Sequence, residues 1–143
     1  RIRQNGNPYK NNIMHIEAPK KNIGKSSKAV YDFLLDVKNF ESLMPENISK
    51  FEVLGEDKFV FALKGMPEII LKLKEQYPHD KIVFGAASDK LPFTLTANID
   101  SVNDNESQVT LSFEGEFNAM MAMMVKNPIT NFMGTLSGNL EKI

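Results

Sequence analysis

The sequence predicts an α+β domain: an antiparallel sheet of six to seven strands, two short helices after the first strand, and a long C-terminal helix over one face. Three observations carry this. Blocks of alternating apolar and polar residues follow one another with only short turns between them, as in an antiparallel meander. Split by parity, these blocks give one face without a charged side chain. The last segment places Ile129, Phe132, Met133, Leu136 and Leu140 at steps of three and four, the spacing of a helix with one apolar stripe.

In chain order, RIRQNGNPYKNN is asparagine-rich and has no apolar centre, so it is not a secretory signal. Residues 1–13 read as an appended extension or a flexible tail, with Met14 as the expected start and 14–143 as a single domain. MHIEAPKKNIGKS is an extended strand, bent or edge-like at Pro19. Ser26 or Ser27 offers a helix N-cap, and Ala29, Val30, Phe33, Leu34 and Val37 then recur at helical spacing. KNFESLM makes a second short helix that Pro45 stops.

Six strand blocks follow, closed by Gly55-Glu-Asp57, Gly65-Met-Pro67, Pro78-His-Asp80, Ser88-Asp89-Lys90 and Asn103-Asp-Asn105. Pro128 suits either the first turn of the terminal helix or a kink in a longer one beginning near Asn118.

One parity collects Phe59, Phe61, Leu63, Ile69, Leu71, Leu73, Ile82, Phe84, Ala86, Phe93, Leu95, Ala97, Ile99, Val109, Leu111, Phe113, Gly115 and Phe117. The other holds lysines, threonines and glutamates, with Val60 and Ile70 as exceptions. A dry face must be covered, and it supplies no acid, base or nucleophile for chemistry. Ala86, Ala97 and Gly115 leave room on it, either for close approach of the helix or for an internal cavity.

Composition narrows the function classes. Net charge is −1 with Lys and Arg spread along the chain, which argues against a nucleic-acid partner. There is no cysteine, hence no disulfide framework or thiolate site, and the cytoplasm is the expected compartment. No apolar run approaches the length of a membrane span, so stable membrane insertion is not expected. His15 and His79 have no close-spaced partner ligands, and no phosphate loop, nucleophile elbow or zinc motif occurs. No cofactor, metal or catalytic residue is assigned. Glu114 and Glu116 fall on the solvated parity, where cross-strand lysines would face them. Tyr77, on the apolar parity, is the best polar candidate at a cavity rim.

The order of elements resembles the helix-grip arrangement of the START and polyketide-cyclase superfamily, also called SRPBCC. The opening APKKNIGKSSKAVYDFLLDVKNFESLMPE is similar to that family's, with Val30-Tyr31-Asp32-Phe33-Leu34-Leu35-Asp36 in the first helix and Pro45 closing the second. The resemblance spans residues 14–143. It implies a curved sheet gripping the last helix around a hydrophobic cavity. Members carry lipids, sterols, quinones or polyketide intermediates, and some are cyclases or hydrolases. With no strict catalytic motif across the superfamily, no catalytic residue carries over.

On that resemblance, the cavity wall is assigned to Phe33, Phe61, Leu71, Tyr77, Phe84, Ala86, Phe93, Leu95, Ala97, Phe113, Gly115 and Phe117. From the last helix come Phe132, Met133 and Leu136, and Met120, Met123 and Met124 stand near the entrance. Residues 119–125 are apolar all round, and methionine re-packs around irregular partners, so this segment reads as a gate. Core filling, or a surface for a protein partner or a weak homodimer, are its other readings. The expected function is binding or carriage of a lipophilic small molecule. The alternatives are a cyclase or dehydratase acting on a hydrophobic substrate, and a protein-interaction module using the Met-rich segment.

Overall fold

The alternating blocks pair into one antiparallel sheet. The computed structural model describes residues 12–66, 68–87 and 93–143, and the turn expected at 88–90 and residues 1–11 of the expected extension lie outside these. The strands are β1 (Asn12–Glu17), β2 (Lys21–Ile23), β3 (Ile48–Val53), β4 (Lys58–Leu63), β5 (Ile69–Tyr77), β6 (Lys81–Ala86), β7 (Phe93–Asn103) and β8 (Glu106–Phe117). Their order is β1-β8-β7-β6-β5-β4-β3, with β2 also on β8.

Among the described residues there are eight strands where six to seven were expected, because Pro19 cuts the opening strand in two. Proline has no N–H for the ladder, yet both pieces stay on β8, and the Ala18 N–H donates to the Leu111 carbonyl at 2.9 Å. The sheet also begins ahead of Met14, with Asn12 and Ile13 paired to Phe117 and Glu116.

The helix α1 (Ser27–Leu35) starts where Ser26 Oγ accepts from the Ala29 N–H at 3.1 Å, and it buries Val30, Tyr31 and Leu34. The second helix is a tighter 3₁₀ turn, Val37–Leu43, burying Val37, Phe40 and Leu43. The terminal helix is the longer of the two possibilities. α2 (Ala119–Leu140) is capped by Asn118, whose side chain accepts from the Met121 N–H at 2.9 Å, and Pro128 lies inside it. Pro128 cannot donate, so the Met124 carbonyl one turn earlier lacks its intrahelical partner.

α2 lies against the inner face, its backbone close to β8, β1, β2 and the 3₁₀ helix. Two bonds anchor its far end: Ser137 Oγ donates to the Pro19 carbonyl at 3.2 Å, and Asn139 Nδ2 to the Leu43 carbonyl at 2.9 Å. The apolar parity fills the core, with Phe59, Phe61, Leu71, Ile82, Phe84, Leu95, Ala97, Ile99, Val109, Leu111, Phe113 and Phe117 all buried. Within the strands assigned to the inner face, parity fails in β5. The β5–β6 register shifts between Leu73 and Glu75, where a β-bulge adds one residue. Beyond it every side chain of β5 changes face. Tyr77 pairs with Lys81, on the outer parity of β6, and is 47% exposed.

Candidate functional site

The contact between α2 and the sheet has a closed end and an open end. At the closed end, Leu136 and Leu140 meet Leu34, Phe40, Leu43, Phe84, Leu95, Ala97 and Leu111, leaving only about 10 Å³. Toward the start of α2 the layers separate around a cavity of about 230 Å³. Phe61 and Phe132 stand in its wall with their rings stacked at 4.9 Å and 9°. Phe93, Phe113 and Phe117 form a second wall of successive stacked rings, with centroids 5.3 and 6.3 Å apart.

The sheet contributes Leu63, Ile69, Leu71 and Leu95 as well, and α2 contributes Met121, Met124, Val125 and Ile129. Gly65 and Met66 complete the lining from the turn after β4. That turn closes with the Met66 N–H donating to the Leu63 carbonyl at 2.9 Å, and Gly65 sits at φ +83°, a conformation that costs a side-chain-bearing residue strain. No lining side chain among the described residues is ionisable, hydroxylic or amide. The cavity can therefore desolvate an apolar group and exert no charge on it.

Of the residues assigned from sequence, Phe61, Leu71, Phe93, Leu95, Phe113, Phe117, Met124 and Phe132 come together around this space. The others do not. Phe84, Ala97 and Leu136 belong to the closed end, and Met133 is buried in the core. Phe33 faces a separate surface cleft with Lys25 and Asn139. Ala86 and Gly115 border an open groove with Lys74, Glu75 and Glu114. The room expected at Gly115 is taken by a neighbour: a Cβ there would lie 2.8 Å from the Phe117 ring and 3.0 Å from Phe93 Cβ. Met120 and Met123 point to solvent, 73% and 83% exposed.

Leu63, Gly65, Met66 and Ile69, and from α2 Met121, Val125 and Ile129, line the cavity without having been assigned to it from sequence; the three helical ones have a readable signal. Counting back from Phe132 in steps of three and four reaches them, so helical register was the available signal.

The titratable groups lie elsewhere. The β-bulge places the Tyr77 hydroxyl on the outer face, where it donates to Glu75 at 2.6 Å; that bond and the carboxylate's charge hold the phenol above its ordinary pKa. Glu68, bonded to Lys50 at 3.0 Å, likewise raises the pKa of that amine. Glu114 faces His15 at 3.4 Å rather than a lysine, and the His79 ring meets Tyr31 edge-on at 5.8 Å. Among the described residues, no cluster of three His, Cys, Asp or Glu could hold a metal, and no helix is long and apolar enough to cross a membrane.

No protein-family model matches the chain, and no curated protein matches it significantly. Solved structures do. Truncated norcoclaurine synthase from Thalictrum flavum superposes with a TM-score of 0.74 at 12% identity, over 99% of this chain and 96% of that one. XoxI from Bacillus cereus gives 0.69 at 14%, over 90% and 93%. A START superfamily protein from Mycobacterium smegmatis gives 0.64 at 10%, over 91% and 97%. A curved antiparallel sheet gripping a long C-terminal helix is thus what this chain shares with them. Its fold is the helix-grip fold seen in these structures.

Proposed function

We propose that this protein binds and carries a lipophilic small molecule in the cavity between the sheet and the first half of α2. The observation that supports this most is the lining, whose side chains are all apolar and which is bounded by three stacked phenylalanines. Met124, itself 69% exposed, stands at its mouth. The same fold in norcoclaurine synthase accommodates dopamine and hydroxybenzaldehyde, molecules of one ring. A guest of that size buries roughly 150–250 Å². At about 25 cal/mol per Å² the gain is roughly 4–6 kcal/mol, which corresponds to affinities between about millimolar and tens of micromolar. With no polar anchor in the lining, selectivity follows size and shape.

An enzymatic reading needs a side-chain donor, acceptor or nucleophile within reach of the guest, and the side chains that line the cavity among the described residues are hydrocarbon or thioether. A partner-docking reading, for another protein or a second copy, has one observation behind it, the outward Met120 and Met123. Titration with anilinonaphthalene sulfonate, together with native mass spectrometry of protein from its own host, separates the two. Carriage predicts dye binding that Val125→Phe weakens while circular dichroism stays unchanged. If the wild-type protein takes up neither dye nor a co-purifying lipophile, the carrier reading falls and docking through Met120 and Met123 replaces it.

A further inference from the structure

Next to the cavity lies a second groove of about 430 Å³, which shares Leu63, Gly65, Met66 and Phe132 with it. Across that shared neck the chemistry changes. Asn127, Asn131 and Thr135 lie at steps of four along one flank of α2, and Lys64 and Asn47 stand opposite them. The Lys64 backbone N–H donates to the Asn47 carbonyl at 3.0 Å, which ties the two backbones together at this edge. Among the described residues, none of the five side chains has a hydrogen-bond or ion-pair partner, and no carboxylate lines the groove. Three separate elements thus bring one cation and four uncommitted polar groups, three of them amides, to the edge of an otherwise dry cavity.

We propose that the groove receives the anionic head of an amphiphile, a medium-chain carboxylate whose apolar part fills the cavity. This rests on the cavity being a ligand site. Size supports a short tail: at roughly 30 Å³ per water-sized group, 230 Å³ holds about eight heavy atoms. Donors support the head. Ammonium and amide N–H groups match carboxylate oxygens, and a charged acceptor strengthens each such bond. Lys64 is exposed, so screening keeps the charge contribution to a few-fold.

Calorimetric titration with octanoate and with octanol tests this, because the pair shares a tail and differs in the head. Wild-type protein is expected to bind octanoate about five-fold more tightly than octanol, with the gap narrowing as salt rises. Lys64→Met, or Lys64→Gln should the first misfold, narrows the gap about two-fold or more by weakening octanoate more than octanol. Asn127→Ala with Asn131→Ala weakens octanoate about two- to five-fold. Equal binding of the two probes, or a gap that loss of Lys64 leaves unchanged, overturns the head-group assignment while the cavity reading stands. Binding of neither probe overturns both.

Discussion

The two halves of α2 face the same sheet and behave differently. After Pro128 the helix presents Ile129, Phe132, Met133, Leu136 and Leu140 in one stripe, and the core beneath most of it is closed. Before Pro128, Met121 and Val125 face a cavity, and Met120, Met123 and Met124 are exposed. Leucine has few well-defined rotamers and specifies a tight fit; methionine has three rotatable bonds and specifies little. One helix therefore provides both the clamp that holds the fold and an adaptable cover over the cavity. The lesson is that hydrophobicity alone does not distinguish core from site. Side-chain stiffness and register do.

The sharpest way to break this comparison is truncation on either side of Pro128. Phe132→Ala removes a buried ring stacked on Phe61 and is expected to cost about 3–5 kcal/mol of stability, and Leu136→Ala about 2–5. Met124→Ala, on an exposed side chain, is expected to stay within about 0.5. Denaturant unfolding of the three variants checks this, and similar losses at all three positions would make the cavity end ordinary core.

Enlarging side chains gives the next effect. Ala97→Phe, placed in the closed end, is expected to destabilise by about 1–3 kcal/mol without entering the cavity. Val125→Phe has space to occupy and should leave the melting temperature near that of wild type while displacing the dye. Reversal of these two outcomes would move the binding space to the closed end.

The smallest effect concerns the side of the sheet on which Tyr77 lies. Its phenol pKa, raised by Glu75, should fall toward the ordinary tyrosine value in Glu75→Ala, and ultraviolet titration should be indifferent to cavity ligands. Because the folded-state pKa is the higher one, the stabilisation from this bond is present at neutral pH and is lost as pH climbs through the tyrosine range. A Tyr77 signal that responds to ligand would return the residue to the cavity.

Much of the fold was legible because it rests on periodicity. The alternation from Phe59 to Phe117 marks the inner face, and the Ile129 to Leu140 spacing marks its cover. The site was legible in part. Tyr77 was lost to a β-bulge, which inserts one residue and leaves no composition signature around Leu73 and Glu75. Gly115 was misjudged because a missing side chain looks like space in a sequence, whereas here the Phe117 ring lies against it. The methionines misled for the opposite reason. A run apolar on all sides hides its own face, and the register had to be carried back from Phe132 to find Met121 and Val125 pointing inward.

Pro128 has a further consequence, for cooperativity. A continuous helix melts from its end with each broken bond loosening the next. In α2 the ladder already lacks the bond that would join Met124 to the next turn. Fraying that begins at Asn118 meets this gap before it reaches the stripe holding the core, so the first two turns are expected to open locally at a lower free energy than global unfolding. Amide hydrogen exchange is expected to register this as faster exchange in residues 119–127 than in 129–140.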